Sequence, residues 1–594
     1  MNTLIKNNAL TPIRQMATAL GLLVLAGFVV FLQPTPAQAQ QGSAGALLEE
    51  IVTVARKRSD AEAVQDVPIA VTAFGAAQLD ALFVTKLDDL SHLMPNVQLE
   101  QVGTFPGVQN FSIRGQGINS SIPSVDPTVG VFVDGVYLGV TFGSVVDMFD
   151  LESVEVLRGP QGLLFGRNVT GGAVLLRTKR PGDEFATRFR LGGNDEEQYN
   201  VAASIEGPLL DDTLSAKLVA YYDDDAGYFR NSNQQQMPAA PVPGAFYLNP
   251  ATGRNVGEMT TKLVRPTLVW TPGDVSEWTL IVESGVSEGD GAVWANVTAQ
   301  RAGVLPEFET TLDEMGFTDM KWTQATLETN IDEVGSGTLT NILGWRRTTA
   351  LSGVDIDGTN LPIFAATGNT SQHQISNEIR WSGSFGNSWD ATFGLYMFDQ
   401  DIVYREGRII QGGAVNLGLG GDMTGKNFGA FWSNDFHFNE DWTATVGLRY
   451  TDESKSTQII TAGCLDIVTF NCNRVGLSGD WQNITPKLGI ERSFDGGRVY
   501  GFWSKGYRSG GFNFRNARPD VIPAGPTREE ENNTFEIGLK TELGGGRMRL
   551  NVAAFVNEIK DMQRELNLPD PFVVVLQGTI NAGDVTIQGI EADF

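Results

Sequence analysis

Residues 109–181 read QNFSIRGQGINSSIPSVDPTVGVFVDGVYLGVTFGSVVDMFDLESVEVLRGPQGLLFGRNVTGGAVLLRTKRP. Short β-branched runs, Val129 to Val133, Val154 to Leu157 and Ala173 to Thr178, alternate with turns rich in Gly, Pro and Asn. That punctuation specifies short strands. Arg114, Arg158, Arg167 and Arg177 recur within the block. The glycines at 159, 162, 166, 171 and 172 lack the Gly-Lys-Ser/Thr ending that sets a cation on phosphates, so they do not read as a nucleotide site. Upstream, Asp66 to Ile69 opens a strand, and Leu79, Leu82, Leu87, Leu90 and Leu93 predict a helix over 79–93 that Pro95 ends.

The order VFVDGVY, then VEVLRGPQG, then FGRN-TGG resembles the plug domain of TonB-dependent outer-membrane receptors. The resemblance implies an α+β plug over 65–182 and energised uptake of a scarce solute across an outer membrane.

Composition and charge fit that expectation. At 594 residues the chain exceeds one ordinary core. Only 41% of it is hydrophobic and 68 residues are glycine; a barrel with one lipid face and one wet face needs few apolar residues. A net charge of −27 argues against nucleic acid, which requires clustered Lys and Arg. Lys6 and Arg14 precede an apolar run from Met16 to Leu32 and an A-x-A site at Ala37 and Ala39, so residues 1–39 read as a signal peptide. The alternative is an inner-membrane anchor. No other apolar run approaches the roughly 18 residues of a spanning helix, so strands must do any further spanning. Export makes Cys464 and Cys472, the two cysteines, a candidate disulfide, with two free thiols as the alternative. Two cysteines alone do not make a metal site.

From about residue 183 the texture becomes period two. Leu214, Ala216, Leu218, Ala220 and Tyr222 alternate with polar neighbours, as do Trp442 to Tyr450 and Met548 to Val556. Tight polar turns (Asn387-Ser388, Asn439 to Asp441, Phe494 to Gly497, Gly544 to Gly546) alternate with long polar excursions over 223–260, 284–318, 350–371, 406–425, 453–479 and 508–529. Short turns at one rim and long loops at the other are the outer-membrane pattern. Trp278, Trp389 and Trp442 follow short turns, where an aromatic belt meets headgroups. The stretches QISNEIRWSG (374–383), TATVGLRYTDESK (443–455), YGFWSKGYRSGGFN (500–513) and NTFEIGLKTEL (533–543) resemble the same family.

The expected fold is therefore mainly β: a transmembrane antiparallel barrel of the 22-stranded type over 183–594 with the plug inside it. About sixteen strands are counted before Phe594, so the expectation is a C-terminally truncated chain short of about six strands, through a frameshift or a partial sequence.

Residues 40–64 form a periplasmic leader. Within it Glu50, Ile51, Val52, Thr53, Val54 and Ala55 make a β-prone hexapeptide suited to adding itself to another protein's sheet edge. The resemblance identifies it as the TonB box, although the family order resembles EIVVTA and this chain has EIVTVA. The few residues before it leave no room for a signalling domain. The resemblance further implies that Arg158 and Arg167 lock the plug to barrel carboxylates, with Glu536 the first partner and Glu378 or Glu491 the second, through bidentate pairs. It implies a substrate-binding plug apex at Asn119, Ser120, Ser121 and Asp126. The implied partners are TonB with its inner-membrane proton-driven motor, outer-membrane lipid and a small-molecule or metal-chelate ligand, most commonly a siderophore–iron complex. A monomer without cofactor is expected. Three scattered histidines, His92, His373 and His437, and the absence of nucleophile or metal motifs give no enzyme. The alternatives are a passive channel, a surface receptor, or a nonfunctional truncated receptor.

Overall fold

The plug sheet grows directly from the β-branched runs. A computed structural model of the chain describes residues 52–58, 61–118, 120–143, 148–210, 213–233, 255–460, 464–571 and 573–594. The signal peptide, Glu50, Ile51 and Asn119 lie outside them. Val71–Gly75, Leu151–Arg158, Gly172–Thr178, Val129–Val133 and Val136–Tyr137 lie side by side in that order, with Gly172–Thr178 parallel to Val129–Val133. Both faces are covered, which is why these strands read as near-continuous apolar runs. On one face Val129, Val131, Val133, Val154 and Val156 pack on Leu79, Leu87 and Leu90; on the other Phe132, Leu157 and Ala173 meet Val67 and Ile69.

The predicted 79–93 helix is a misreading of two shorter elements. The α-helix Ala76–Ala81 stops at Phe83, which takes a left-handed φ of 54°, and a 3₁₀ helix, Leu87–Leu93, follows. The Asp89 carboxylate accepts from the amides of Thr85 and Lys86 and so fixes the second start. Leucine spacing persisted across the break because Leu79, Leu87 and Leu90 still share one core, whereas Leu82 and Leu93 do not join it.

Sixteen antiparallel strands form the second sheet, each paired with its sequence neighbour, from Ala186–Gly193 to Val574–Asp593. Among the described residues these two terminal strands each pair on one side only. Alternation sets the faces: in Trp389–Ile410, Phe393, Leu395 and Met397 point outward while Phe398, Gln400 and Ile402 are buried inward. The short-turn rim carries stacked aromatics, Phe385 on Trp389 at 4.3 Å and Trp389 on Phe436 at 6.0 Å.

Three predicted loops are largely strand. Gly337–Asp355 and Phe364–Phe385 pair through the 350–371 region, Trp389–Ile410 and Val415–His437 through 406–425, and Trp442–Ile460 with Arg474–Phe494 through much of 453–479. A membrane strand needs about ten residues, and these run to 19–23. Beyond the lipid the outward face no longer has to be apolar, so the period-two signal fades while the hydrogen-bond ladder continues.

Leu395 lies on the outward face well inside the strand. Leu395→Arg is expected to destabilise the barrel by roughly 2–4 kcal/mol, checked by denaturant unfolding in bilayers.

Candidate plug–wall lock, apex and leader

Arg114 is the centre of the lock. It is the first central residue of a two-residue hairpin turn between Gln109–Ile113 and Gln116–Gly117, with φ of 54° at Arg114 and 71° at Gly115. Primed turns need positive φ at both positions, and a non-glycine residue holds that conformation only when its surroundings compensate. Here they do. Arg114 Nη1 donates to Glu536 at 2.8 Å, while Nε and Nη2 fork onto the two oxygens of Glu591 at 3.0 and 2.9 Å. The guanidinium lies 4.0 Å over the Phe555 ring. All three charged side chains are buried, and the surrounding carboxylates raise the Arg114 pKa against the opposing effect of burial.

Arg158 stands beside this group but does not meet Glu536. Its Nη2 donates to Asp593 at 2.5 Å and to Thr72 at 3.2 Å. Glu536 instead also accepts from Tyr500 and from the Ala70 amide. Arg167 goes to Glu453, a carboxylate the sequence reading did not name, and lies 3.6 Å from Asp126. Glu378 takes Lys57 at 2.6 Å, and Glu491 takes the wall residue Arg498 at 2.9 Å, which in turn contacts Asp66 of the plug. The expected pairing of Arg158 and Arg167 with Glu536 is thus corrected: Arg158 meets Asp593 and Arg167 meets Glu453 on the wall, while Arg177 stays on the plug's own Glu152. Glu591 and Asp593 were missed although they sit in GIEADF, where a period of two turns both inward.

The apex is covered. Ser120, Ser121 and Asp126 are buried beneath the 509–529 segment, which folds into the lumen so that Ser124 donates to the Phe512 carbonyl at 2.6 Å. Phe512 and Phe514 join Val102, Phe105, Ile118 and Ile122 of the plug in one apolar cluster with Ile402, Tyr404 and Trp481 of the wall. Asp126 accepts from Lys455 at 2.5 Å and Ser509 at 2.7 Å. Burial alone would raise its carboxyl pKa, but Lys455 and Arg167 outweigh that and hold it at about 2. Arg515 donates to Ser121 at 2.6 Å, to Glu406 at 2.5 Å and to the Tyr404 hydroxyl at 2.9 Å. Apex polar groups therefore face protein rather than an open mouth.

The described part of the leader is also held rather than free. Val52–Thr53 pairs with Glu62–Ala63, and Thr53 and Val54 donate to the buried Glu155. Arg58 lies 2.5 Å from Asp435 and 3.0 Å from Asp390 on the wall. A β-prone segment satisfies its backbone on whatever edge is nearest, and here the chain's own Glu62–Ala63 supplies one. Cys464 and Cys472 form a disulfide across the hairpin end above Trp442–Ile460.

Two family models match: the TonB-dependent receptor plug domain over residues 63–173, and the TonB-dependent receptor-like β-barrel over residues 200–594. The chain belongs to the TonB-dependent receptors. Among curated relatives of this receptor, the pesticin receptor of Yersinia pestis is 23% identical over 555 residues, covering 91% of this chain and 74% of its own. The ferripyoverdine receptor of Pseudomonas aeruginosa is 26% identical over 198 residues, 32% of this chain and 23% of its own. Of solved structures, the ferric yersiniabactin uptake receptor from Yersinia pestis superposes with a TM-score of 0.72 at 20% identity, covering 88% of this receptor and 76% of that chain. The closed ferric-catecholate import receptor from E. coli gives 0.67 at 15%, covering 89% and 78%. At these identities the structural likeness concerns the fold.

Arg114→Ala leaves Glu536 and Glu591 buried without their shared cation, and removal of one partner from such a group costs about 3–5 kcal/mol. Arg114→Lys is expected to recover only part, because an ammonium cannot fork. Arg177→Ala, which breaks a half-exposed pair with Glu152, should stay within about 1 kcal/mol. Denaturant unfolding of the three variants checks the order.

Proposed function

We propose that the chain is an outer-membrane transporter of a Gram-negative bacterium that takes up a siderophore–iron complex, driven by TonB and its inner-membrane proton motor. The observation that carries this reading is the way the plug is held. Its strands form sheets separate from the barrel sheet, and buried ion pairs such as Arg114 with Glu536 and Glu591 fasten it to the wall. Side-chain fastening is strong at rest and breakable one pair at a time, which suits a plug that is pulled and returns. A passive pore has no use for such a plug in its lumen. The iron-complex cargo is carried over from relatives whose names specify ferripyoverdine, ferrioxamine B and ferric yersiniabactin.

In this reading the ligand enters from the long-loop side, displaces the 509–529 segment and reaches Ser121, Asp126 and their partners Arg515 and Tyr404. Binding there disturbs Asp126, which Lys455 and Arg167 link to the plug–wall contacts. The leader, Glu50 to Ala55 included, then pairs with TonB in the periplasm by strand addition. The pull opens a path by breaking the contacts of Arg158 and Arg167 along with those of Arg114. No step in this reading makes or breaks a covalent bond, so the protein acts as a transporter.

Deleting residues 50–55 is expected to abolish uptake of iron-labelled siderophores while leaving their binding to cells intact. Undiminished uptake, or uptake equal in cells with and without TonB, overturns the energised reading.

A further inference from the structure

Among the described residues Glu155 is the plug carboxylate that faces the leader from inside the plug sheet. It lies on Leu151–Arg158, between Val71–Gly75 and Gly172–Thr178, opposite Ala73 on one side and Leu175 on the other. The residue is only 2% exposed, and its surroundings are apolar: Val71, Ala73, Leu157, Ala173 and Leu175 share its face. Among the described residues every hydrogen bond to its carboxylate comes from the leader. The Thr53 hydroxyl donates to Oε2, and the Val54 amide donates to both oxygens at 3.2 Å. The Ala55 amide donates to Thr53 Oγ1 at 3.1 Å, which aims the hydroxyl hydrogen at Glu155.

Among the described residues no cation touches it. Arg177 of the neighbouring strand acts on it from a distance, but is paired with Glu152 at 3.0 Å. The leader's own cations are engaged elsewhere: Arg56 with Glu62 and Asp435, Lys57 with Glu378, Arg58 with Glu62, Asp390 and Asp435. On the same strand Arg158 belongs to Asp593 and Glu591.

We propose that Glu155 is a positioning residue, a clasp that holds the leader on the plug and converts withdrawal of Thr53 and Val54 into loosening of the plug's central strand. The inference rests on the transport reading above. A force applied at the chain's N-terminal side of Val52 reaches Thr53 before it reaches Arg56, Lys57 or Arg58, so the clasp opens first. Opening it leaves a buried carboxylate with no donor, which is strongly unfavourable. The strand relieves that only by admitting water or a proton, and Arg158 of the lock is three residues further along it.

The clasp is sensitive to pH in one direction. Burial pushes the Glu155 carboxyl up to about 7, against the Thr53 and Val54 bonds that lower it. Loss of those bonds while the carboxylate is still enclosed by the sheet raises it further. Relative to that enclosed, donor-free state the clasped state has the lower pKa, so its stabilisation is full above the donor-free pKa and is lost as pH falls through about 7.

The test is hydrogen exchange of amides 52–58 in the full-length protein in detergent micelles, followed by mass spectrometry across about pH 6 to about pH 9. In the native chain, protection corrected for intrinsic exchange is expected to fall as pH drops toward about 7. Glu155→Gln should lower it by about tenfold at the upper pH and flatten the profile. Thr53→Val, a change outside the plug core that needs no refolding of it, should lower protection similarly, and Thr53→Ser should restore it. Native protection and pH profile in both Glu155→Gln and Thr53→Val overturn the clasp. If leader exchange responds as stated but deletion of residues 50–55 leaves uptake intact, the clasp stands and the transport reading fails. If the deletion abolishes uptake while both variants exchange like the native chain, the reverse holds.

Discussion

A guanidinium taken out of water must find its counter-charges, and most of this molecule is arranged around that requirement at Arg114. Two wall carboxylates, Glu536 and Glu591, meet one plug cation with all three side chains buried. An isolated pair of this kind barely repays its desolvation. The fork onto both Glu591 oxygens, the additional donors Tyr500 and Asn96, and the Phe555 ring beneath supply the further contacts that make it favourable. The strained turn that presents Arg114, the placement of Arg158 beside it and the inward set of the last strand all follow from satisfying these charges together.

How legible this was depended on whether a residue's role was local. The strands Val129–Val133 and Leu151–Arg158 were readable because both faces are buried and β-branched residues fill them. The barrel was readable wherever lipid forces alternation, as at Ile484, Leu488 and Ile490, and unreadable above the lipid, where the upper part of Arg474–Phe494 continues as a mainly polar ladder. Partners were the least legible. That a plug arginine needs an acceptor is a local statement, but which acceptor depends on the radial position of each turn. Arg167 faces Glu453 and not Glu536 for that reason, and only the folded register shows it. Arg114 carried a readable signal, an Arg-Gly pair between two short extended runs, which marks a primed turn projecting its first side chain.

The two ends of the lumen are built differently. Toward the short turns, the contacts of Arg114, Arg158 and Lys57 are ionic and directional. Toward the long loops, Phe512 and Phe514 add an apolar seal over Ile118 and Ile122, with Arg515 and Asp126 set within it. An apolar seal yields gradually to a ligand that replaces its contacts, whereas a charged pair yields abruptly. The resting molecule thus combines a soft upper closure with a brittle lower one.

The partners of Arg114 also set the timing of assembly. Arg114 and Glu591 are 477 residues apart in the chain, so the plug is synthesised and released long before the strand that secures it exists. Until Val574–Asp593 docks, the cation at the tip of that turn lacks the second of its two carboxylates, Glu591. Closure of sheet order from Ala186–Gly193 onward is local, strand upon neighbouring strand, and therefore fast. Seating the plug against Glu591 is the long-range event.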